Sequence, residues 1–212
     1  MKAGNTSAVH ELPPGLWNRL RLDPLRSPEH IALAAAGTFA PQAAAWAAEK
    51  RDRYAVGPAE LGQMAKRRHA TLARLEGAAT GVGGFVTIVP DMAALLWIQA
   101  RLVFFVAAAH GFDPHDPMRP AEALVLFDVY PDPATARRAL DGIGSTLVEA
   151  YIGSRAAREE AIALRLAKVL GVRSARRLAG RLIPGFAIAW NAIGNERRTR
   201  ALADRAIHFY GG

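Results

Sequence analysis

Residues 77–111 read GAATGVGGFVTIVPDMAALLWIQARLVFFVAAAHG, and this stretch decides how the rest of the chain has to fold. Asp91 and Arg101 are its only charged residues, and four glycines fall within its first eight positions. A solvated surface helix does not carry so little charge. A membrane span wants about 20 predominantly apolar residues with few or no charges, and this one is interrupted too often. The remaining sequence must bury the segment, which predicts a central apolar, glycine-rich helical hairpin with any chemistry beside its two charges.

The flanking sequence reads as helix after helix. Residues 1–27, with Pro13, Pro14 and Pro24, form a partly irregular N-terminal arm with one short helix around Leu16–Leu22. Ser27-Pro28-Glu29 places a capping residue before a proline in the first turn and opens a helix to about Arg53, which Pro41 should kink or split. Pro58-Ala59-Glu60 opens another, to about Glu76, with Leu61, Met64, Ala65, Arg68, Leu72 and Leu75 as its stripe. Asp113-Pro114 and Asp132-Pro133 both resemble helix starts. The second leads into Leu140, Ile143, Leu147, Val148, Tyr151 and Ile152 at helical spacing. Helices from Ser154 to Gly171, Ser174 to Leu182, Gly185 to Ile193 and Asn195 to Tyr210 complete the series. Only Leu124–Tyr130 has strand-like content, in a helical context. The reading is all-α, with about eight helices in one globular domain, 28–212, and no internal repeat.

Composition narrows the function classes. The 212 residues contain no cysteine, which excludes thiolate catalysis and cysteine-bound metals and fits a reducing compartment. MKAGNTSAVHELPPG has no apolar signal region, so a cytoplasmic location is the expectation, with peripheral membrane contact as an addition. The net charge of +8, carried by 27 basic residues of which 23 are arginine, permits attraction to anionic lipid or nucleic acid.

Each candidate site has a plain structural reading beside the functional one. Gly77-x-x-x-Gly81 and Gly81-x-Gly83-Gly84 suit close helix packing. They precede no Lys-Ser/Thr pair, follow no strand and lack the dinucleotide-binding order, so phosphate binding is the weaker reading. Asp91 follows Pro90 and suits the first turn of a helix. Ten residues separate it from Arg101, about 15 Å along one helix, too far to pair. If buried, each charge needs another partner, and Thr80, Gln99, Asn191 and Tyr210 are the candidates, whether as a structural network or as a ligand site. His110, Asp113, His115 and Asp116 lie within seven residues, but each has a local role at a helix end and the following turn, so no metal is assigned. Glu159-Glu160 and Asn195-Glu196 lack the spacing of the acidic clusters that bind diphosphate in isoprenoid cyclases. Arg173, Arg176, Arg177 and Arg181, with Arg165 and Lys168 upstream, form a basic face that can meet a membrane or an anion, or simply solvent. No nucleic-acid motif accompanies it.

The run Gly77-x-x-Thr80-Gly81-x-x-Gly84, then Asp91, Gln99-x-Arg101 and Gly111-Phe112-Asp113, resembles the core of the EcsC protein family. Pro184-Gly185, Asn191 and a last helix reaching Tyr210 agree with it. The resemblance spans about 58–212, and His110 departs from the family's usual tyrosine near that position. It implies a helical bacterial protein in the company of a membrane or an ABC-transporter-linked system, and it supplies no catalytic residues.

Two functions follow as expectations. The first is a protein without cofactors that holds a lipid or other lipophilic small molecule, or docks on an anionic membrane surface, as an accessory to a transport or envelope process. Its contacts would be Thr80, Asp91, Gln99, Arg101, Asn191 and Tyr210. The second is an enzyme of cyclase or hydrolase type on a lipid or isoprenoid substrate. It would use Asp91 and Arg101, with His110 or Asp113 as acid or base. A purely structural module that self-associates through apolar surface is a third.

Overall fold

The computed structural model describes residues 12–80, 88–145, 155–170 and 184–212, with side chains described there except at 76–80, 88, 89, 91, 144, 145, 155–159 and 184–193. Among these residues there are eight α-helices and no strand. They are α1 (Leu16–Leu22), α2 (Ser27–Tyr54), α3 (Pro58–Thr80), α4 (Ile88–Ala109), α5 (Arg119–Leu126), α6 (Pro133–Ser145), α7 (Arg155–Val169) and α8 (Pro184–Gly211). A 3-10 turn, Pro24–Arg26, joins α1 to α2.

The apolar stretch forms the axis of the fold. From Ala93 to Ala109 every residue of α4 is buried, including Trp97, Phe104 and Phe105. Helices α2, α3, α7 and α8 all pack on α4, and α3 and α8 make the most extensive pairing in the molecule. By length and composition two helices could cross a membrane, Pro24–Tyr54 and Met92–Ala109, and the second is 94% buried inside the fold. Its burial is therefore met by neighbouring helices. The short α1 contributes Leu16 and Leu20, both fully buried, to the same core.

The end of α4 shows why the chain turns there. Gly111 takes φ +88°, a left-handed conformation glycine adopts without steric penalty. The amides of Gly111 and Phe112 donate to the carbonyls of Ala108 and Ala107, at 3.1 and 3.0 Å, closing the helix in a Schellman arrangement. Arg51 of α2 reaches across and donates to the Ala108 and Ala109 carbonyls at 2.5 and 3.2 Å. A cation on orphan carbonyls at the negative end of a helix is favourable twice over.

Four details differ from the sequence reading. Pro41 neither splits nor ends α2, which runs unbroken through it. Pro41 and Gly37 both face solvent, where water can take the Gly37 carbonyl left without its amide partner, while Gln42 Nε2 donates to the Thr38 carbonyl at 3.1 Å. Asp113-Pro114 starts no helix. Asp113 Oδ1 accepts from the His115 amide two residues on, at 2.9 Å, which makes a turn, and α5 begins only at Arg119. Asp132, by contrast, accepts from the Thr135 amide and hydroxyl, both at 2.8 Å, and caps α6 as expected. The separate helices 185–193 and 195–210 are one helix, α8, since Gly194 and Asn195 do not interrupt it. Finally, the buried face of α3 is Leu61, Gly62, Ala65, His69, Ala70 and Ala73, while Leu75 and Arg68 are exposed. Small residues on that face let α8 approach closely, so the packing follows size as much as hydropathy.

Residues 81–87, and with them most of the glycine-rich lead-in to α4, lie outside the described residues, as do the expected helix 174–182 and Arg173 just before it. The apolar positions 147–152 lie outside them too.

A candidate site around Arg101

Arg101 sits midway along α4 and is only 3% exposed. Its guanidinium lies over the rings of Phe105, 4.9 Å from the centroid, and Phe39, 5.4 Å away. Such contacts are worth about 2 kcal/mol when desolvated. Nη2 reaches Gln42 Oε1 on α2 at 3.5 Å, the outer limit for a hydrogen bond. Nε and Nη1 are buried and have no hydrogen-bond partner among the described residues. No carboxylate pairs with Arg101 in any ion pair among the described residues, and burial pulls the guanidinium down from its usual value to about 10.

A second cation stands beside it. Arg68, on α3, lies 5.4 Å from the Phe105 centroid, and the two guanidinium charges disfavour each other. Glu49 is near, but its carboxylate is engaged by Lys50 and Arg53, at 3.2 and 3.3 Å. His69, the next residue on α3, is fully buried, with its ring edge-on to Phe105 at 4.9 Å. Its Nδ1 meets the Ala65 carbonyl at 2.8 Å, so Nδ1 carries the proton and Nε2 is left as an unpartnered acceptor. Burial first, and the two arginines second, hold its pKa at about 3, so it is neutral at physiological pH. Phe39 meets Trp97 at 4.5 Å and Trp46 meets Phe105 at 5.2 Å, completing an aromatic floor. Helices α2 and α3 flank this floor and hardly touch each other.

The other residues singled out by sequence are scattered over the fold. Gln99 is buried on α4. The side chains of Thr80, Asp91 and Asn191, and all of Arg173, Arg176, Arg177 and Arg181, lie outside the described residues. Tyr210 belongs to a separate network at the far end of α4. Its hydroxyl donates to Glu122 at 2.6 Å, and Glu122 also pairs with Arg119, which is bonded in turn to Asp116 at 3.3 Å. Arg165 leaves the expected basic face and pairs at 3.4 Å with buried Glu29, which also accepts from the Tyr130 hydroxyl at 2.8 Å.

His110 and Asp113 do not converge on Arg101 either. The His110 ring fills a slot left by two glycines: a Cβ on Gly62 would come within 2.9 Å of Nε2, and one on Gly211 within 3.3 Å of Cε1. Asp113 is exposed and occupied by its own turn and by the His115 ring at 3.1 Å. It lines an open surface depression of about 220 Å³ with Arg51 and Phe112. Among the described residues no group of three or more His, Asp or Glu could hold a metal ion.

The EcsC protein family matches residues 43–211. The chain belongs to that family. The match begins in the second half of α2, so it takes in Trp46, Arg68, His69, Trp97, Arg101 and Phe105 and leaves Phe39 and Gln42 just outside. No curated protein and no solved structure matches the chain. Sequence reasoning picked out Arg101 but missed Phe39, Gln42 and Arg68 around it. Arg68 stood in the predicted α3 stripe, the one signal that could have placed a second cation beside α4.

Proposed function

We propose that this EcsC family protein binds a lipophilic small molecule against α4 and serves as a non-catalytic accessory to a transport or envelope process. The observation that supports this reading most is the α4 floor. Phe105 and Phe39 face the Arg101 guanidinium and Trp97 packs on Phe39, between two helices that hardly touch each other. Ligand sites are concave, mostly apolar and marked by a few convergent polar groups, and the floor has that chemistry.

The enzymatic alternative has less support. His110 and Asp113, its acid and base, do not converge on Arg101, His110 sitting between Gly62 and Gly211 and Asp113 in its own exposed turn, and the histidine that does adjoin Arg101 is held neutral with a pKa of about 3. A general acid–base catalyst works best with a pKa near the operating pH.

The test is native mass spectrometry of the purified full chain after incubation with methyl oleate, joined to flotation with phosphatidylglycerol-containing and phosphatidylcholine-only vesicles. A stoichiometric adduct is the expected result. No adduct and no flotation with either vesicle would remove the proposal.

A further inference from the structure

An arginine enclosed among aromatic rings, with two donors unpartnered and no carboxylate paired to it among the described residues, is an unfinished ion pair. Transfer of a charged group out of water costs several kcal/mol even after relaxation, and that cost is normally offset by an opposite charge and a full set of hydrogen bonds. Arg119, in the same protein, has the opposite charge and most of the bonds: Asp116, Glu122 and two rings close around it, and only Nε is left without a partner among the described residues. Arg101 has rings and one long contact to a neutral amide. Arg68, a second cation, acts on it unfavourably, which makes matters worse. Glu49, the acid beside Arg68, is already claimed by Lys50 and Arg53.

Resting on the function proposed above, we infer that the ligand is an anionic single-chain amphiphile, a fatty acid or alkyl phosphate, whose head group completes the Arg101 ion pair. The head group reaches Arg101 from between the exposed side chains of Gln42 and Arg68. It displaces the long 3.5 Å Gln42 contact and gains the Nε and Nη1 donors. Guanidinium is planar, delocalised and less strongly hydrated than ammonium, which suits it to holding a carboxylate or phosphate in a partly dry site. Arg68 adds a second positive charge at the rim. The tail enters between α2 and α3 and packs against Trp97, Phe105 and Trp46, rings that are buried within the fold and that a free inorganic anion would leave unused. His69 stays neutral beside the pair and adds no competing proton at physiological pH.

The experiment is isothermal titration of the full chain with oleate, dodecyl phosphate, methyl oleate, acetate and inorganic phosphate, each below its micellar concentration where it has one. Oleate and dodecyl phosphate should bind at least tenfold more tightly than methyl oleate, with acetate and phosphate much weaker than either. Arg101→Met should keep methyl oleate binding and lose the tenfold preference for the charged forms. Arg68→Gln, a substitution on the surface, should lower that preference by a smaller factor. Equal affinity of the wild type for oleate and methyl oleate would overturn the inference while leaving the lipophilic site intact, and so would a preference that survives Arg101→Met. Phosphate binding as tightly as dodecyl phosphate would overturn the assignment to an amphiphile. Failure of every probe would overturn both. If Arg101→Met does not fold, the decision passes to Arg68→Gln, and an unchanged preference there counts against the inference.

Discussion

At the residue scale, two histidines show how surroundings set behaviour, fully buried His69 through desolvation and half-buried His110 through space. His69 has a pKa of about 3 in the folded chain against 6.5 for the free side chain. Between those values the unfolded chain binds a proton that the folded chain does not, so stability is intact above pH 6.5 and is lost as pH falls through that window. One proton corresponds to a slope of about 1.4 kcal/mol per pH unit. Urea unfolding at pH 7, 6 and 5 should show the wild type weakening more steeply than His69→Leu by an amount approaching that slope. Parallel curves would mean that His69 gains a proton in the folded state. His110 is constrained by space. Adding a methyl at Gly62 brings it within 2.9 Å of Nε2 in a ring already bounded by Gly211, and overpacking of this kind costs about 1–3 kcal/mol. Gly62→Ala should lower the melting temperature, and Gly62→Ala combined with His110→Ala should recover part of the loss. Arg101 itself was visible in the sequence as a charge in an apolar run. The slot for His110 was not, because Gly62, His110 and Gly211 lie on three different segments and nothing local in the sequence links them.

At the element scale, the helix boundaries that could be read were those whose signals are local. Asp132-Pro133 carries both cap and proline in adjacent residues, and α6 starts there. Gly111 ends α4 for an equally local reason, its positive φ. Asp113-Pro114 has the same two residue types as Asp132-Pro133 yet makes a turn, because its carboxylate bonds the amide two residues on and not three. That choice depends on where α5 must lie, which no local pattern encodes. Pro41 failed as a helix breaker because it faces water. The prediction at this scale concerns the α4 terminus. Gly111→Ala places a Cβ at φ +88°, costing about 1 kcal/mol, and Arg51→Ala removes the side chain that bonds the last carbonyls. Both variants should unfold at lower urea concentration than wild type with an unchanged denaturant slope. The double variant should lose less than the sum, since both act on the same group of carbonyls.

At the scale of the whole molecule, two arginines at the same degree of burial have opposite surroundings, and that contrast supports a prediction in which the sign matters. Arg119 is 5% exposed and ties α5 to the last turn of α8 through Glu122 and Tyr210. Burial raises the Glu122 and Tyr210 pKa values, while the guanidinium opposes the rise by holding both groups toward their charged forms. Removing Arg119 leaves Glu122 enclosed without its cation, and breaking a buried pair in this way costs about 3–5 kcal/mol. Arg101 is 3% exposed and pairs with no anion among the described residues. Replacing it with a methionine of similar reach removes a desolvated charge, spares the aromatic contacts most of their packing and leaves only Gln42, which is exposed and can turn to water. Replacement of buried ionic groups by well-packed apolar ones is often neutral or stabilising by about 1–4 kcal/mol. Arg119→Met should therefore lower the unfolding free energy sharply, and Arg101→Met should leave it equal or raise it, both read by urea titration at pH 7 with circular dichroism. A loss at Arg101 as large as that at Arg119 would show that the fold itself depends on the Arg101 charge and would assign it to structure. A gain would mean the chain carries a charge its stability does not require, as expected of a residue kept for what it binds.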